Sequence, residues 1–126
     1  IAAIQHTPGD KLIKSVIVKF NGKTYYMLGL PATYKIDFKK LKAASGAKTI
    51  ELAKEEELKT LFPDCEIGAL PPFGNLYNIP VVIDKSAENN DEIVFSAGNH
   101  KETVKMKYVD YKKLVKPKLA DFAIHV

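Results

Sequence analysis

The stretch Gly68-Ala69-Leu70-Pro71-Pro72-Phe73-Gly74 sets the tightest limit on what this chain can become. Its adjacent prolines fix φ and remove two backbone donors, so neither a helix nor a central strand can run through them. A glycine at each end admits backbone angles closed to other residues. The chain must therefore build a stiff, irregular loop near its middle, with regular elements on both sides. Rigid loops of this kind often shape a site.

On the N-terminal side, residues 12–20 read as a strand. Asn21-Gly22 predicts a two-residue hairpin turn, with residues 24–30 as the partner strand. Asp37 is a candidate N-cap, with Phe38, Leu41 and Ala44 or Ser45 as an apolar stripe and Gly46 as the stop. Residues 49–52 read as a short strand. Residues 54–61 read as a helix with Glu55, Glu56 and Glu57 as a solvated start and Pro63 as its end. Beyond the loop, Pro80-Val81-Val82-Ile83 reads as a strand buried on both faces. Two more strands, 92–96 and 103–106, flank the turn 97–101. A helix near 108–115 and a final strand near 118–123 follow. Interleaved strands and helices with a hairpin predict an α/β fold, its sheet mixed parallel and antiparallel and flanked by helices. At 126 residues, a single domain over 1–126 is expected.

The net charge is +4, and all 19 basic residues are lysines. Lysine is a point charge suited to phosphate, whereas bidentate reading of base edges uses arginine. A polyanionic partner fits, and sequence-specific reading of duplex DNA does not. The same bias arises from genomic composition or thermophily. One cysteine, Cys65, excludes an internal disulfide. With no signal peptide in view, that points to the cytoplasm. No apolar run reaches the ~20 residues a bilayer requires, so no membrane partner is expected. No His or Cys pair has metal-ligand spacing, and no P-loop, dinucleotide fingerprint or G-x-S-x-G elbow occurs. Neither metal nor cofactor is expected. Cys65 has no local base to activate it and reads as a buried structural thiol.

Lys14 stands out by its face. On a strand, Leu12, Lys14, Val16, Val18 and Phe20 share one side, and Lys14 is the one early charge among apolar residues. Such a lysine either snorkels to solvent or walls a pocket. His100, in the Gly98-Asn99-His100 turn, reads as a surface residue or a catalyst; His6 and His125 lie near the chain ends. Phe73 either anchors its loop or lines a ligand site. The six tyrosines are spread along the chain, which suits packing better than a base-stacking platform.

Three blocks together resemble the YbaK/prolyl-tRNA editing-domain family. The first is Leu12-Ile13-Lys14-Ser15-Val16-Ile17-Val18, similar to that family's lysine-bearing strand. The second is the proline loop followed by Ile79-Pro80-Val81-Val82-Ile83-Asp84. The third is Val94-Phe95-Ser96-Ala97-Gly98-Asn99-His100. They occur in the family's order, over roughly residues 10–123, and Asp37 to Ala47 fits the intervening helix. The resemblance implies a YbaK-like, partly barrel-like fold, with an earlier strand and helix missing from the start of the chain.

It also implies a metal-independent hydrolase that removes amino acids wrongly esterified to tRNA. One methylene is worth only ~1–3 kcal/mol in a pocket, so a synthetase cannot reject every near-match by binding alone. By resemblance, Lys14 is the essential lysine and contacts the 3′-terminal adenosine or its phosphate. Gly68 and Pro72 would hold the aminoacyl end and the attacking water, with Ser15, Ala69, Leu70, Pro71 and Phe73 around them. Ser96, Gly98, Asn99 and His100 would border the amino-acid pocket, His100 limiting side-chain size. Thr103 stands where members acting on cysteinyl-tRNA carry an acid, which argues against cysteine, and the Gly98-Asn99-His100 form is similar to members that remove alanine from proline tRNA. The implied partners are the tRNA acceptor end and a cognate synthetase. A non-catalytic tRNA-binding or synthetase-docking module is the alternative.

Overall fold

The computed structural model describes residues 11–125. Strands β1 (Ile13–Phe20), β2 (Thr24–Pro31) and β3 (Tyr34–Ile36) precede helix α1 (Phe38–Ser45). Then come β4 (Ile50–Leu52), α2 (Glu55–Leu61), the proline loop, a 3-10 turn (Gly74–Tyr77) and β5 (Val81–Asp84). A second 3-10 turn (Lys85–Asn89) leads to β6 (Glu92–Ser96), β7 (Thr103–Lys107), α3 (Tyr108–Val115), β8 (Lys118–Ala120) and β9 (Ala123–His125).

Five strands form a mixed sheet in the order β4-β1-β2-β5-β8. β1 runs antiparallel to β2 and β4, whereas β2–β5 and β5–β8 are parallel. Two antiparallel ribbons, β3–β9 and β6–β7, complete the fold. Among the described residues closure stops short of a barrel: β4 and β8 are edges, and one parallel bridge, Leu12 to Val94, ties the β6–β7 ribbon to the start of β1.

Strand alternation divides the interior. Ile13 and Ile17 enter the main core with Met27, Ile83, Ile93, Phe95 and Tyr111. Val18 and Phe20 enter a second core with Leu28, Leu30, Leu41 and Phe122. The sheet is thus covered on both faces, and β5 is buried along its whole length. Helix α1 begins and ends as its sequence predicts. The Asp37 carboxylate accepts from the Lys39 and Lys40 amides, and Gly46 closes it at φ 75°.

Three local expectations change. The hairpin loop has three residues, because Phe20 pairs with Thr24 and the Lys23 amide donates to the Phe20 carbonyl. The Asn21 carboxamide oxygen also accepts from the Lys48 and Thr49 amides, so this loop is sized by the lead-in to β4 as well as by the hairpin. The final strand splits into β8 and β9. One oxygen of the buried Asp84 carboxylate accepts from the Phe122 and Ala123 amides, which pulls the chain off β5 and onto β3. Glu57, expected to be merely solvated, accepts from the Lys54 amide, the Lys19 ammonium and the Tyr25 hydroxyl.

Candidate functional site

The proline loop is held from beneath. Ala69 and Leu70 are buried, and Leu70 joins the main core. The buried Tyr111 hydroxyl donates to the Pro72 carbonyl at 2.6 Å. Burial pushes that hydroxyl's pKa up, so it remains a donor. Phe73 lies against Phe95 and edge-on to Tyr111, each with 5.4 Å between ring centroids. Its ring therefore anchors the loop. Gly74 closes the loop because a Cβ there would stand 2.5 Å from the Ile79 carbonyl oxygen.

The second turn is bonded to the first. The Gly98 amide donates to the Ala69 carbonyl at 3.0 Å, and the Glu66 amide donates to the Gly98 carbonyl at 2.7 Å. The His100 amide donates to the Glu66 carboxylate at 3.1 Å. The His100 ring nitrogen Nε2 lies 2.8 Å from the Ile67 carbonyl, which can only accept, so Nε2 carries the hydrogen. The same ring covers Gly68, where φ is +87° and a Cβ would sit 3.3 Å from ring atom Cε1. Asn99 builds the turn itself, its side-chain oxygen accepting from the Lys101 and Glu102 amides. Among the described residues, the amides of Gly68 and Leu70 donate to no protein acceptor.

Lys14 and Ser15 point to opposite faces of β1. The Ser15 hydroxyl is on the main-core side, buried and without a partner among the described residues. The Lys14 ammonium lies 3.5 Å from the Ala32 carbonyl. Among the described residues no carboxylate pairs with it. The parallel bridge sets Leu12 beside Val94, so Lys14 and Ser96, each two residues on, share a face. Ser96 in turn pairs with Thr103 across the β6–β7 ladder.

The expected site residues thus fall into groups. Gly68, Ala69, Gly98 and His100 are joined directly. Lys14, Ser96 and Thr103 share a strand face. Leu70, Pro72 and Phe73 turn to the core, Pro71 is half-buried above them, and Asn99 shapes the turn. Glu66, the Ile67 carbonyl and Tyr111 had no sequence signal, because each matters only through a partner far along the chain. Cys65 is half-buried, not fully buried, with its sulfur 3.3 Å from the Tyr77 hydroxyl. That hydroxyl donates to Asp64, and its pKa is pushed up by the thiol contact, by burial and by the carboxylate. His6 lies outside the described residues. Among the described residues no three His, Cys, Asp or Glu side chains gather to hold a metal ion, and no helix is long and apolar enough to cross a membrane.

A wall of main-chain groups, together with an ammonium that no carboxylate among the described residues neutralises, suits an anionic ester substrate. Comparison with known proteins points the same way. The chain is 33% identical over 84 residues to the proline--tRNA ligase of Bacillus cereus (strain G9842), and 32% identical over 84 residues to that of Bacillus mycoides (strain KBAB4). Each match takes in 67% of this chain and 14% of the ligase, so the chain corresponds to a small part of those enzymes. Its fold superimposes with a TM-score of 0.85 on a solved structure described as a candidate trans-editing enzyme for prolyl tRNA synthetase. That pair is 19% identical, covering 98% of this chain and 76% of the other. The model of the aminoacyl-tRNA editing domain matches residues 1–114, and the chain belongs to that family.

Proposed function

We propose that this protein hydrolyses the ester of a mischarged tRNA in the cytoplasm, with alanine on proline tRNA as its leading substrate. The observation that carries this is the bonded pair of turns, in which, among the described residues, the Gly68 and Leu70 amides have no acceptor, together with a Lys14 that no described carboxylate neutralises. The Lys14 ammonium takes the phosphate or terminal adenosine of the acceptor end. Water adds to the ester carbonyl carbon, and the Gly68 and Leu70 amides receive the negative charge that develops on its oxygen. The carbonyl–oxygen bond to the ribose then breaks. One proton of the water goes to the leaving ribose oxygen, the other passes to solvent, and the amino acid departs as a carboxylate. No resident metal or cofactor enters this scheme.

His100 acts by shape. Its Nε2 hydrogen is committed to Ile67, so the ring borders the pocket and does not serve as a base from that nitrogen. A rigid border suits rejection of larger side chains, so that the pocket admits the small amino acids a synthetase pocket rejects poorly by binding. Thr103 in place of an acid favours alanine over cysteine. The relation to proline--tRNA ligases supports proline tRNA, and a cognate synthetase as a working partner.

A panel of labelled mischarged tRNAs tests this. Alanine on proline tRNA should be hydrolysed well above the buffer rate. Lys14→Ala should lower the rate on the order of 10²-fold, the scale of removing one preorganised electrostatic group. Half-lives equal to buffer across the panel would sink the deacylase reading. Salt-sensitive tRNA binding without turnover would leave the non-catalytic module in its place.

A further inference from the structure

The geometry points to a second basic contact, on Lys105 and Lys101, that grips backbone phosphates of the RNA strand entering the site; this rests on the deacylase reading above. β7 alternates cleanly. Val104 and Met106 pair with Phe95 and Ile93, which face the main core, so Thr103, Lys105 and Lys107 project from the opposite face. That face also carries Ser96, and Lys14 through the Leu12–Val94 bridge. Thr103 therefore stands at the site, and Lys105 follows it outward by about 7 Å.

Neighbouring charges decide which lysines count. Across the ladder Lys105 faces Val94, and beyond Val94 lies Leu12, so no carboxylate on these strands neutralises it. Lys107 faces Glu92, where Glu88 and Asp91 also gather at the start of α3. It is excluded for that reason. Lys101 is exposed in the turn beside Asn99, and among the described residues it has no ion pair. Two carboxylates are bound into that turn, Glu102 accepting from the Asn99 carboxamide and Glu66 from the His100 amide, and neither forms an ion pair with Lys101. Lysines on an edge strand also discourage edge-to-edge pairing, which would explain their presence without RNA. The two roles separate by experiment.

The test measures Kd for an unacylated proline tRNA against salt concentration, using the whole chain. Lys101→Gln/Lys105→Gln is compared with Lys39→Gln/Lys42→Gln on α1, whose Leu41 packs with Phe20 and Tyr26 at the end of β1 far from Lys14. Both double variants remove the same charge, so net charge cancels. The first should lower the slope of log K against log salt by about two, one for each phosphate that is no longer gripped. The α1 variant should leave the slope close to that of the unaltered protein. Equal slopes for the two double variants would overturn the phosphate grip. Unaltered protein that binds tRNA with the expected slopes but hydrolyses no mischarged tRNA would overturn the deacylase reading alone. Unaltered protein that fails to bind tRNA would overturn both.

Discussion

Tyr111 shows how one hydroxyl can set a loop. Tyr111→Phe keeps the ring that meets Phe73 but leaves the buried Pro72 carbonyl without its donor. The expected cost is about 1–3 kcal/mol, read from urea unfolding. If the hydroxyl also aims the loop, kcat on mischarged tRNA falls with little change in KM. Unchanged stability and unchanged kcat would show that the loop holds itself. The stiffness of this loop was legible from its two prolines and flanking glycines. The hydroxyl beneath it was not, because Tyr111 lies 39 residues away and nothing in its local pattern marks that partner. Lys14 was legible for the opposite reason, since strand alternation alone sets it among apolar neighbours.

Element by element, α2 depends most on a single side chain. It has seven residues, none of them buried, with Leu58 and Leu61 resting partly on the main core. Glu57 joins it to β1 through Lys19 and to β2 through Tyr25. Those bonds, with the Lys19 ammonium first, then the Lys54 amide and the Tyr25 hydroxyl, hold the Glu57 pKa down from the ordinary 4.5 to about 2. A depressed carboxylate adds stability that is complete above the unfolded value and disappears as pH falls through the folded one. Thermal midpoints from pH 6 to pH 2 should therefore fall more steeply for the unaltered protein than for Glu57→Gln, with the difference concentrated below about pH 4.5. Parallel curves would remove Glu57 from the acid limb. The helix itself was readable from its acidic start and Pro63. Three-residue strands such as β3 and β9 were not, because pairing with each other creates them and no sequence period does.

Across the whole molecule, Asp84 joins the sheet to the C-terminal segment. One of its oxygens takes the Phe122 and Ala123 amides, and the other takes the Ser86 amide and hydroxyl. Asp84→Asn replaces an acceptor with a donor amid donors. It should destabilise the protein by about 1–3 kcal/mol, lowering Tm by roughly 5 °C or more. Loss of amide-exchange protection should extend from β5 to the β3–β9 ribbon. Protection lost at Ser86 alone would confine the carboxylate to a local turn. The mixed sheet was predictable from alternating helices and strands with one hairpin. How its two turns bond to each other was not, since Gly98 exchanges main-chain groups with Glu66 and Ala69, accepting from the first and donating to the second, across a gap that no spacing rule spans.

Those exchanged groups bear on how this site can evolve. Two of the bonds joining the turns, Gly98 to Ala69 and Glu66 to Gly98, belong to the main chain and not to side chains. Most substitutions at positions 66, 69 and 98 that respect the local backbone leave both atoms of each bond in place. The wall is then inherited with the fold, while Thr103 and the His100 ring remain open to drift. On the proposed deacylase reading, a lineage built this way can change which amino acid it removes one side chain at a time, without first losing the means to remove any.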